Sequence, residues 1–147
     1  MSLAHDAAVD SLVRWFENLS PETVARAGAY YASAAVFRDP FNDVRGVPAI
    51  RRIYAHLFEQ VRRPRFKVTG RYIEEGSAVL LWDFSFLGTA GDQETVIRGA
   101  SHLQFDHDDL ITLHQDYWDP TPDLYQRVPL LGRLIGWVRQ RLRAPQD

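Results

Sequence analysis

The 147-residue sequence contains no cysteine. A chain without thiols has no disulfide framework. It also has no thiolate ligands for a structural zinc ion, and no pair of closely spaced histidines suggests such a site. No uninterrupted apolar run approaches the ~20 residues of a membrane-spanning helix. The opening residues, MSLAHDAAVDSLVRW, also lack the basic start and apolar centre of a signal peptide. From these absences we expect a soluble, cytoplasmic protein.

Acidic and basic residues are unevenly distributed, although the net charge is only −2. Five arginines and no acidic residue lie between Leu124 and Gln146. The rest of the chain is therefore acidic, whereas a nucleic-acid-binding domain presents a basic face, so we expect no nucleic-acid partner. With 46% hydrophobic and 12% aromatic residues the chain is too apolar for disorder, and its length suits one domain.

The spacing of apolar residues predicts three helices near the start of the chain. Residues 9–19 and 50–61 carry apolar side chains at steps of three and four. Pro48 suits the first turn of the second of these segments. Between them, Ser20-Pro21 resembles an N-cap and a first helical position, which predicts a further helix to about Ala32.

The remaining elements are predicted strands. Residues 34–38 form a short extended segment that ends at Asp39, because a residue before proline is pushed out of the helical region. After Arg63-Pro64 the apolar period changes to two, and turn residues follow at 76–77 and 88–92. This pattern predicts strands over residues 66–72, 80–86, 94–105 and 110–118. Helices followed by an antiparallel four-stranded meander indicate an α+β fold, with the helices on one face of a curved sheet.

The strand face that carries Trp82, Phe84 and Phe86 has a large apolar surface. It fits either a solid core or a hollow beneath a strongly curved sheet, and composition alone favours the solid core. On the last predicted strand, His114, Asp116 and Trp118 share one face by the period of two. If Trp118 packs inward, the two titratable groups point inward as well.

Several short motifs, in their order, resemble the nuclear transport factor 2-like superfamily, in its SnoaL-like and ketosteroid-isomerase-related branch. They are the Asp-Pro-Phe segment at 39–41, the Gly-x-x-Ala-Ile segment at 46–50 and the QDYWDP segment at 115–120. The resemblance covers about residues 5–120. It implies a cone-shaped fold in which a bent sheet encloses an apolar pocket, and it implies a homodimer. We expect a domain over residues 1–122, followed by a tail over 123–147.

The resemblance also implies roles for individual residues. The general base of ketosteroid isomerase occupies the position of Asp39, and the acid/base residue of SnoaL-like cyclases corresponds to Asp116. The two oxyanion donors of the isomerase fall on Trp15 and Ser101, which differ from the tyrosine and aspartic acid of that enzyme. Arg98 and Asp116 match parts of the Asp-Arg-Asp relay of limonene epoxide hydrolase, but a second relay carboxylate has no counterpart.

We therefore predict that Asp39, Asp116 and His114 are catalytic. The predicted ligand-binding residues are Trp15, Phe41, Tyr54, Trp82, Phe84, Phe86, Ser101 and Trp118. Each catalytic candidate has an alternative role. Asp39 fits a turn carboxylate, Asp116 fits a surface partner of Arg98 or Arg71, and His114 fits a core histidine with one hydrogen bond. We expect no metal and no cofactor.

Two functions follow as hypotheses. The first is a small enzyme that acts as a cofactor-independent isomerase, cyclase or hydrolase on a hydrophobic organic molecule. The second is a non-catalytic ligand-binding or association module, because this fold serves unrelated functions. The tail segment PLLGRLIGWVRQRLR predicts an amphipathic helix that caps the cone, packs on a partner subunit or lies on an anionic membrane surface. Of these, capping is favoured and peripheral membrane contact is not.

Overall fold

The computed structural model describes residues 3–88 and 93–118, together with the single positions 137, 140 and 141. Helices α1 and α2 span Leu3–Glu17 and Val47–Gln60, and a 3₁₀ helix spans Thr23–Ala29. The strands are β1 (Tyr31–Arg38), β2 (Asp43–Arg45), β3 (Arg62–Glu74), β4 (Ser77–Leu87), β5 (Glu94–Phe105) and β6 (Ile111–Trp118). The helices pack on one curved sheet, which confirms the predicted α+β fold.

The six strands form one mixed sheet in the order β2-β1-β6-β5-β4-β3. Strands β3 to β6 make the predicted antiparallel meander. Strand β1 then pairs parallel to β6, and the three-residue β2 pairs antiparallel to β1. Because β6 lies between β1 and β5, its inward side chains have neighbouring strands on both sides.

The helix predicted from Ser20-Pro21 to about Ala32 is wrong in type and extent. The segment instead forms the 3₁₀ helix, and β1 already begins at Tyr31. Ser20 and Thr23 exchange hydrogen bonds between side chain and backbone, at 2.8 and 3.2 Å, which tighten the turn that precedes this helix. Pairing of β1 with β6 outweighs the local helical tendency of the alanine-rich stretch that follows.

Two further features of the sheet differ from the prediction, the start of β3 and the presence of β2. Strand β3 begins at Arg62, so Pro64 lies inside a strand and not at its start. The pairing register with β4 shifts between Arg62 and Arg65, and Arg63 has a φ of 51°. Such an irregularity accommodates proline, which has no N–H to donate to the ladder. Strand β2 was not predicted, since three residues carry no measurable period.

The core lies between the helices and the inner face of the sheet. Strand β4 confirms the predicted alternation, because its even-numbered residues from Ala78 to Phe86 are buried. On the helical side, Val9 and Leu12 of α1 and Ile50 of α2 are buried against this face. Pro48 lies in the first turn of α2, as predicted.

Gly99 makes room for an indole ring on the inner face of the sheet. It pairs with Trp82 on one side and with Trp118 on the other. A Cβ atom at this position would lie 2.6 Å from Cζ2 of Trp82 and 2.9 Å from Cβ of Trp118. The missing side chain therefore allows the Trp82 ring to lie across β5.

Most of the predicted tail lies outside the described residues. Positions 137, 140 and 141 are helical, and the Arg141 guanidinium lies 4.8 Å from the centre of the Trp137 ring. The role of the tail, the domain boundary near residue 122, the homodimer and the cytoplasmic location stay predictions. Among the residues that the structure describes, no helix is long and apolar enough to cross a membrane.

We predict that Gly99→Ala lowers the free energy of unfolding by about 1–3 kcal/mol, because the added methyl overlaps the Trp82 ring. Gly70→Ala in β3 is the matched control, since its Cβ would lie no closer than 3.4 Å to Leu81. Urea denaturation of both variants measures the difference. Equal stability of the two variants would show that the indole does not need this space.

Candidate active site

A cavity of about 450 Å³ lies between α2 and the inner face of the sheet. Its wall is largely aromatic, and the rings come from Phe37, Phe41, Tyr54, Phe66, Trp82, Phe84, Phe86 and Trp118. Two carboxylates, Asp39 and Asp116, also line it. A second cavity of about 30 Å³ shares Tyr54, Phe66, Trp82 and Asp116 with the first. The two spaces therefore meet at a tyrosine, an indole and a carboxylate.

Asp116 is the inward-facing carboxylate of β6, and its side chain is 16% exposed. Its Oδ1 accepts hydrogen bonds from Ser101 Oγ at 2.5 Å and from His114 Nε2 at 2.6 Å. Within the described residues, no donor reaches its other oxygen, Oδ2. One oxygen is thus held by the protein, while the other has no hydrogen-bond donor among the described residues.

The alternative surface pairing of Asp116 with an arginine is wrong. Arg71 pairs with Asp10 of α1. Arg98 lies on the outer face of β5, where its side chain is 85% exposed and its Nε lies 3.7 Å from Asp83 Oδ1. An Asp-Arg-Asp relay of the kind that the resemblance suggested is therefore not formed around Asp116.

His114 is a core histidine that also belongs to the cavity region. Its side chain is 3% exposed and lines only the smaller cavity. While Nε2 contacts Asp116, Nδ1 lies 2.7 Å from the hydroxyl of Tyr31. The Tyr31 and His114 rings stack with an interplanar angle of 6°, and Phe37 packs against the imidazole. Both ring nitrogens are therefore engaged, not one as the core-histidine alternative assumed.

These contacts belong to a longer chain of hydrogen bonds. The hydroxyl oxygens of Tyr31 and Tyr54 lie 2.8 Å apart. At the other end, Trp82 Nε1 donates to Ser101 Oγ at 2.9 Å. The chain runs in the order Tyr54, Tyr31, His114, Asp116, Ser101, Trp82. It links five elements of the fold, and both of its ends reach the wall of the larger cavity.

The two tyrosines of this chain stay protonated over a wide pH range. Burial raises the pKa of the Tyr54 hydroxyl well above its ordinary value, and the negative charge of Asp116 raises it further. Burial is also the main reason why the pKa of Tyr31 is raised, with a further contribution from Tyr54. Both hydroxyls therefore carry a proton that they can donate.

Asp39 is a turn residue and a cavity residue at once. Its Oδ1 accepts hydrogen bonds from the backbone N–H groups of Phe41 at 2.8 Å and Asn42 at 2.7 Å. The side-chain amide of Asn42 also contacts both carboxylate oxygens at 3.0 Å. This Asx-type turn ends β1 and places Asp39 at the rim of the cavity. Among the described residues, no group of three metal-ligating side chains forms here or elsewhere.

Three predicted ligand-binding residues have a different or additional task. Trp15 lines neither cavity, because its Nε1 donates to the carbonyl of Thr23 at 3.0 Å and its ring packs edge-on behind Tyr54. Ser101 lines only the smaller cavity, and its hydroxyl donates to Asp116. Phe41 lies at the rim, 53% exposed, against the ring of Trp118. The other predicted ligand-binding residues all line the larger cavity.

The sequence reasoning missed residues on two elements. Tyr31 was assigned to a helix that does not form, so its hydroxyl was not considered. On α2, Leu57 lines the cavity together with Tyr54, and Val61, the residue that follows the helix, lines it as well. The spacing of three residues between Tyr54 and Leu57 places them on the same helical face, which is a signal that the sequence contains.

We predict that the buried tyrosine pair makes the protein less stable at alkaline pH. Above the ordinary tyrosine pKa of 10.0 the unfolded chain loses protons that the folded chain keeps, so the free energy of unfolding falls as pH rises. Below pH 10.0 both states are protonated, and this contribution is complete. Tyr54→Phe should reduce the loss measured by urea denaturation between about pH 9 and 11. A loss as large as that of the wild type would contradict the pKa shift.

Several solved structures have the same fold. A hypothetical protein from Catenulispora acidiphila with a ketosteroid isomerase-like fold, in complex with trimethylamine, aligns with a TM-score of 0.66 and 15% identity, over 76% of this chain and 85% of its own. A candidate SnoaL-like polyketide cyclase from Shewanella denitrificans aligns with a TM-score of 0.65 and 16% identity, over 90% of this chain and 99% of its own. An LEH-like epoxide hydrolase from M. tuberculosis aligns with a TM-score of 0.62 and 17% identity, over 95% of this chain and 96% of its own. At such identities these similarities establish the fold.

The family follows from the sequence itself. No protein of curated function matches it. The model of the SnoaL-like domain family, however, matches residues 12–114, which include the C-terminal part of α1, all of α2, the first five strands and half of β6. Both the fold and the match confirm the resemblance that the short motifs indicated, and the chain belongs to the SnoaL-like domain family.

Proposed function

We propose that this protein binds a hydrophobic organic molecule in the larger cavity and transfers a proton to or from it with Asp116. The observation that carries the proposal is the state of this carboxylate. Ser101 and His114 hold Oδ1, whereas Oδ2 has no donor among the described residues, and Asp116 lines an aromatic cavity. A side chain so anchored is oriented for proton transfer before a substrate arrives.

The substrate class that fits this site is a carbonyl compound with an acidic C–H bond next to the carbonyl. Removing such a proton requires a base and a hydrogen-bond donor for the oxygen that becomes negative. Asp116 supplies the base, and Tyr54, which lines the same cavity, supplies a hydroxyl. Side chains suffice for this chemistry, so we propose no cofactor. The aromatic walls exclude water and strengthen the electrostatic interactions inside the cavity.

Of the predicted catalytic residues, we assign proton transfer to Asp116, support of Asp116 to His114, and shaping of the cavity rim to Asp39. Both oxygens of Asp39 already accept hydrogen bonds from the turn that it forms. Moving them toward a substrate would break the turn that ends β1. Isomerisation and cyclisation both begin with the proton transfer that we assign to Asp116.

We predict that the protein catalyses exchange of the acidic C–H protons of 2-tetralone, a bicyclic ketone, when it is dissolved in D₂O. Asp116→Asn should slow this exchange by about 10²–10⁴-fold, because an amide cannot act as the base. Proton NMR follows the loss of the C–H signals. The matched control is Asp83→Asn on β4, a carboxylate that pairs with Arg98 on the outer face.

The outcomes separate the enzyme from the binding module. Exchange by the wild type and by Asp83→Asn, but not by Asp116→Asn, supports the assignment. If the wild type binds 2-tetralone without catalysing exchange, the protein is a ligand-binding module for this class of compound. Exchange by Asp116→Asn at the wild-type rate would remove the proposed role from this carboxylate.

We also predict that filling the cavity prevents ligand binding. Leu57→Trp places a large side chain into the wall that α2 contributes, and it should weaken the binding of 2-naphthol, a flat aromatic alcohol, at least about tenfold. Ala55→Trp is the control, because Ala55 is exposed on the same helix. Isothermal titration calorimetry measures both affinities, and native mass spectrometry of the purified wild type tests for a retained ligand. Equal weakening by both variants would mean that the ligand binds elsewhere.

A further inference from the structure

Asp116 and Tyr54 belong to the hydrogen-bonded chain and line both cavities. The Tyr54 hydroxyl can donate a proton, and the Asp116 carboxylate can accept one. Tyr31 and His114 lie between them. Tyr31 is 1% exposed, lines neither cavity and contacts both neighbours at hydrogen-bond distance, 2.8 Å to Tyr54 and 2.7 Å to His114. A connection from base to hydroxyl thus runs behind the cavity wall, out of contact with solvent.

The direction of these hydrogen bonds follows from the protons available. An ionised Asp116 only accepts, so His114 Nε2 must donate to it. A neutral His114 then accepts at Nδ1 from Tyr31, which in turn accepts from Tyr54. A protonated His114 donates at Nδ1 instead, and Tyr31 then donates to Tyr54. In this second arrangement the Tyr54 hydrogen no longer points along the chain and is free to be donated into the cavity.

We propose that Tyr31 and His114 form a reversible proton path between the two groups, so that Tyr54 acts as the acid for the substrate oxygen while Asp116 acts as the base for carbon. This proposal rests on the proposed function: it makes the Tyr54 hydroxyl an acid that gives up its proton, and it makes Tyr31 and His114 the positioning residues that replace that proton.

The path balances the proton transfers of enolisation. Asp116 Oδ2 takes the proton from carbon, and the C–H electron pair becomes the carbon–carbon double bond of the enol. The carbonyl oxygen takes the hydrogen of Tyr54, Tyr54 takes that of Tyr31, and Tyr31 takes that of His114 Nδ1. His114 ends neutral and Asp116 ends protonated. Running the same transfers in reverse, with the proton returned to a different carbon, completes an isomerisation and restores every group.

The surroundings of the path favour this exchange of protons. Because burial raises the pKa values of Tyr31 and Tyr54, neither hydroxyl is stable as an anion, so each gives up its proton only while it receives another from its neighbour. The titratable groups that face His114 are Asp116 from its own strand and Tyr31 from β1, with Tyr54 of α2 behind Tyr31. The remaining ring contacts of His114 are the apolar Phe16 and Phe37, which keep water from competing for the hydrogen bonds.

The variant that tests the path is Tyr31→Phe, which removes the central hydroxyl and leaves Asp116, His114 and Tyr54 in place. The matched control is Tyr30→Phe, because the neighbouring Tyr30 stacks on Trp15 and takes no part in the chain. Tyr54→Phe removes the cavity end and serves as the second variant if Tyr31→Phe does not fold. The first measurement is exchange of 2-tetralone in D₂O. The second is the ¹⁵N NMR signal of His114 Nδ1 with and without 2-naphthol, whose hydroxyl mimics the enol.

We expect Tyr31→Phe to lower kcat for exchange about 10–100-fold with little change in KM, and Tyr30→Phe to leave it unchanged. Because the enol state of the path leaves His114 neutral, binding of 2-naphthol should convert His114 Nδ1 from a protonated donor to an unprotonated acceptor in the wild type and in Tyr30→Phe. Tyr31→Phe should abolish that conversion. If Tyr31 had only a structural role, the conversion would still occur in this variant.

The failures are distinguishable. If the wild type exchanges 2-tetralone, Asp116→Asn does not, and Tyr31→Phe behaves like the wild type, the path is overturned and the proposed function stands. The path is also overturned if 2-naphthol binds without changing the His114 signal. If the wild type neither binds nor exchanges 2-tetralone, the proposed function fails for this substrate class and the path fails with it.

Discussion

The burial of one carboxylate constrains the whole site. Removing an ionised carboxylate from water costs several kcal/mol unless hydrogen bonds replace the lost hydration, and Asp116 obtains two of them from Ser101 and His114. Each of these donors needs a partner of its own inside the core. Ser101 accepts from Trp82, and His114 is joined to Tyr31. The hydrogen bonds therefore continue from residue to residue until they reach the cavity wall, because an interrupted network would leave a buried polar group unpaired.

The sheet topology is what makes this network geometrically available. Strand β6 lies between β1 and β5, so its inward residues meet side chains from a parallel neighbour and from an antiparallel one. In the parallel pair Phe37 is opposite His114, and in the antiparallel pair Ser101 is opposite Asp116. Because β1 and β6 run in the same direction, the turn after β1 and the end of β6 lie at the same rim of the sheet. This is why Asp39 and Trp118 border one cavity although 78 residues lie between them in the sequence.

The local periods predicted much of the fold. The period of two placed His114 and Asp116 on one face of β6, and it placed Trp82, Phe84 and Phe86 together on the apolar face of β4, as the structure has them. The short motifs identified the family. Tyr31 was missed because helical propensity and strand pairing compete in the segment before it, and pairing depends on β6, a strand about 80 residues away. For the same reason the role of Trp15 was misplaced, since its partner Thr23 belongs to the 3₁₀ helix.

The sequence by itself determined the class of fold, the family and the face of each long strand, because these depend on patterns that repeat within a few residues. Only the tertiary structure decided which polar groups meet. Whether Asp116 pairs with an arginine, Arg98 or Arg71, or with Ser101 and His114 depends on the register and packing of separate strands, and the sequence fitted both arrangements. The curvature of the sheet and the position of α2 likewise decided that the apolar faces leave an open cavity between them, since the volume left between packed elements is not a property of any single segment.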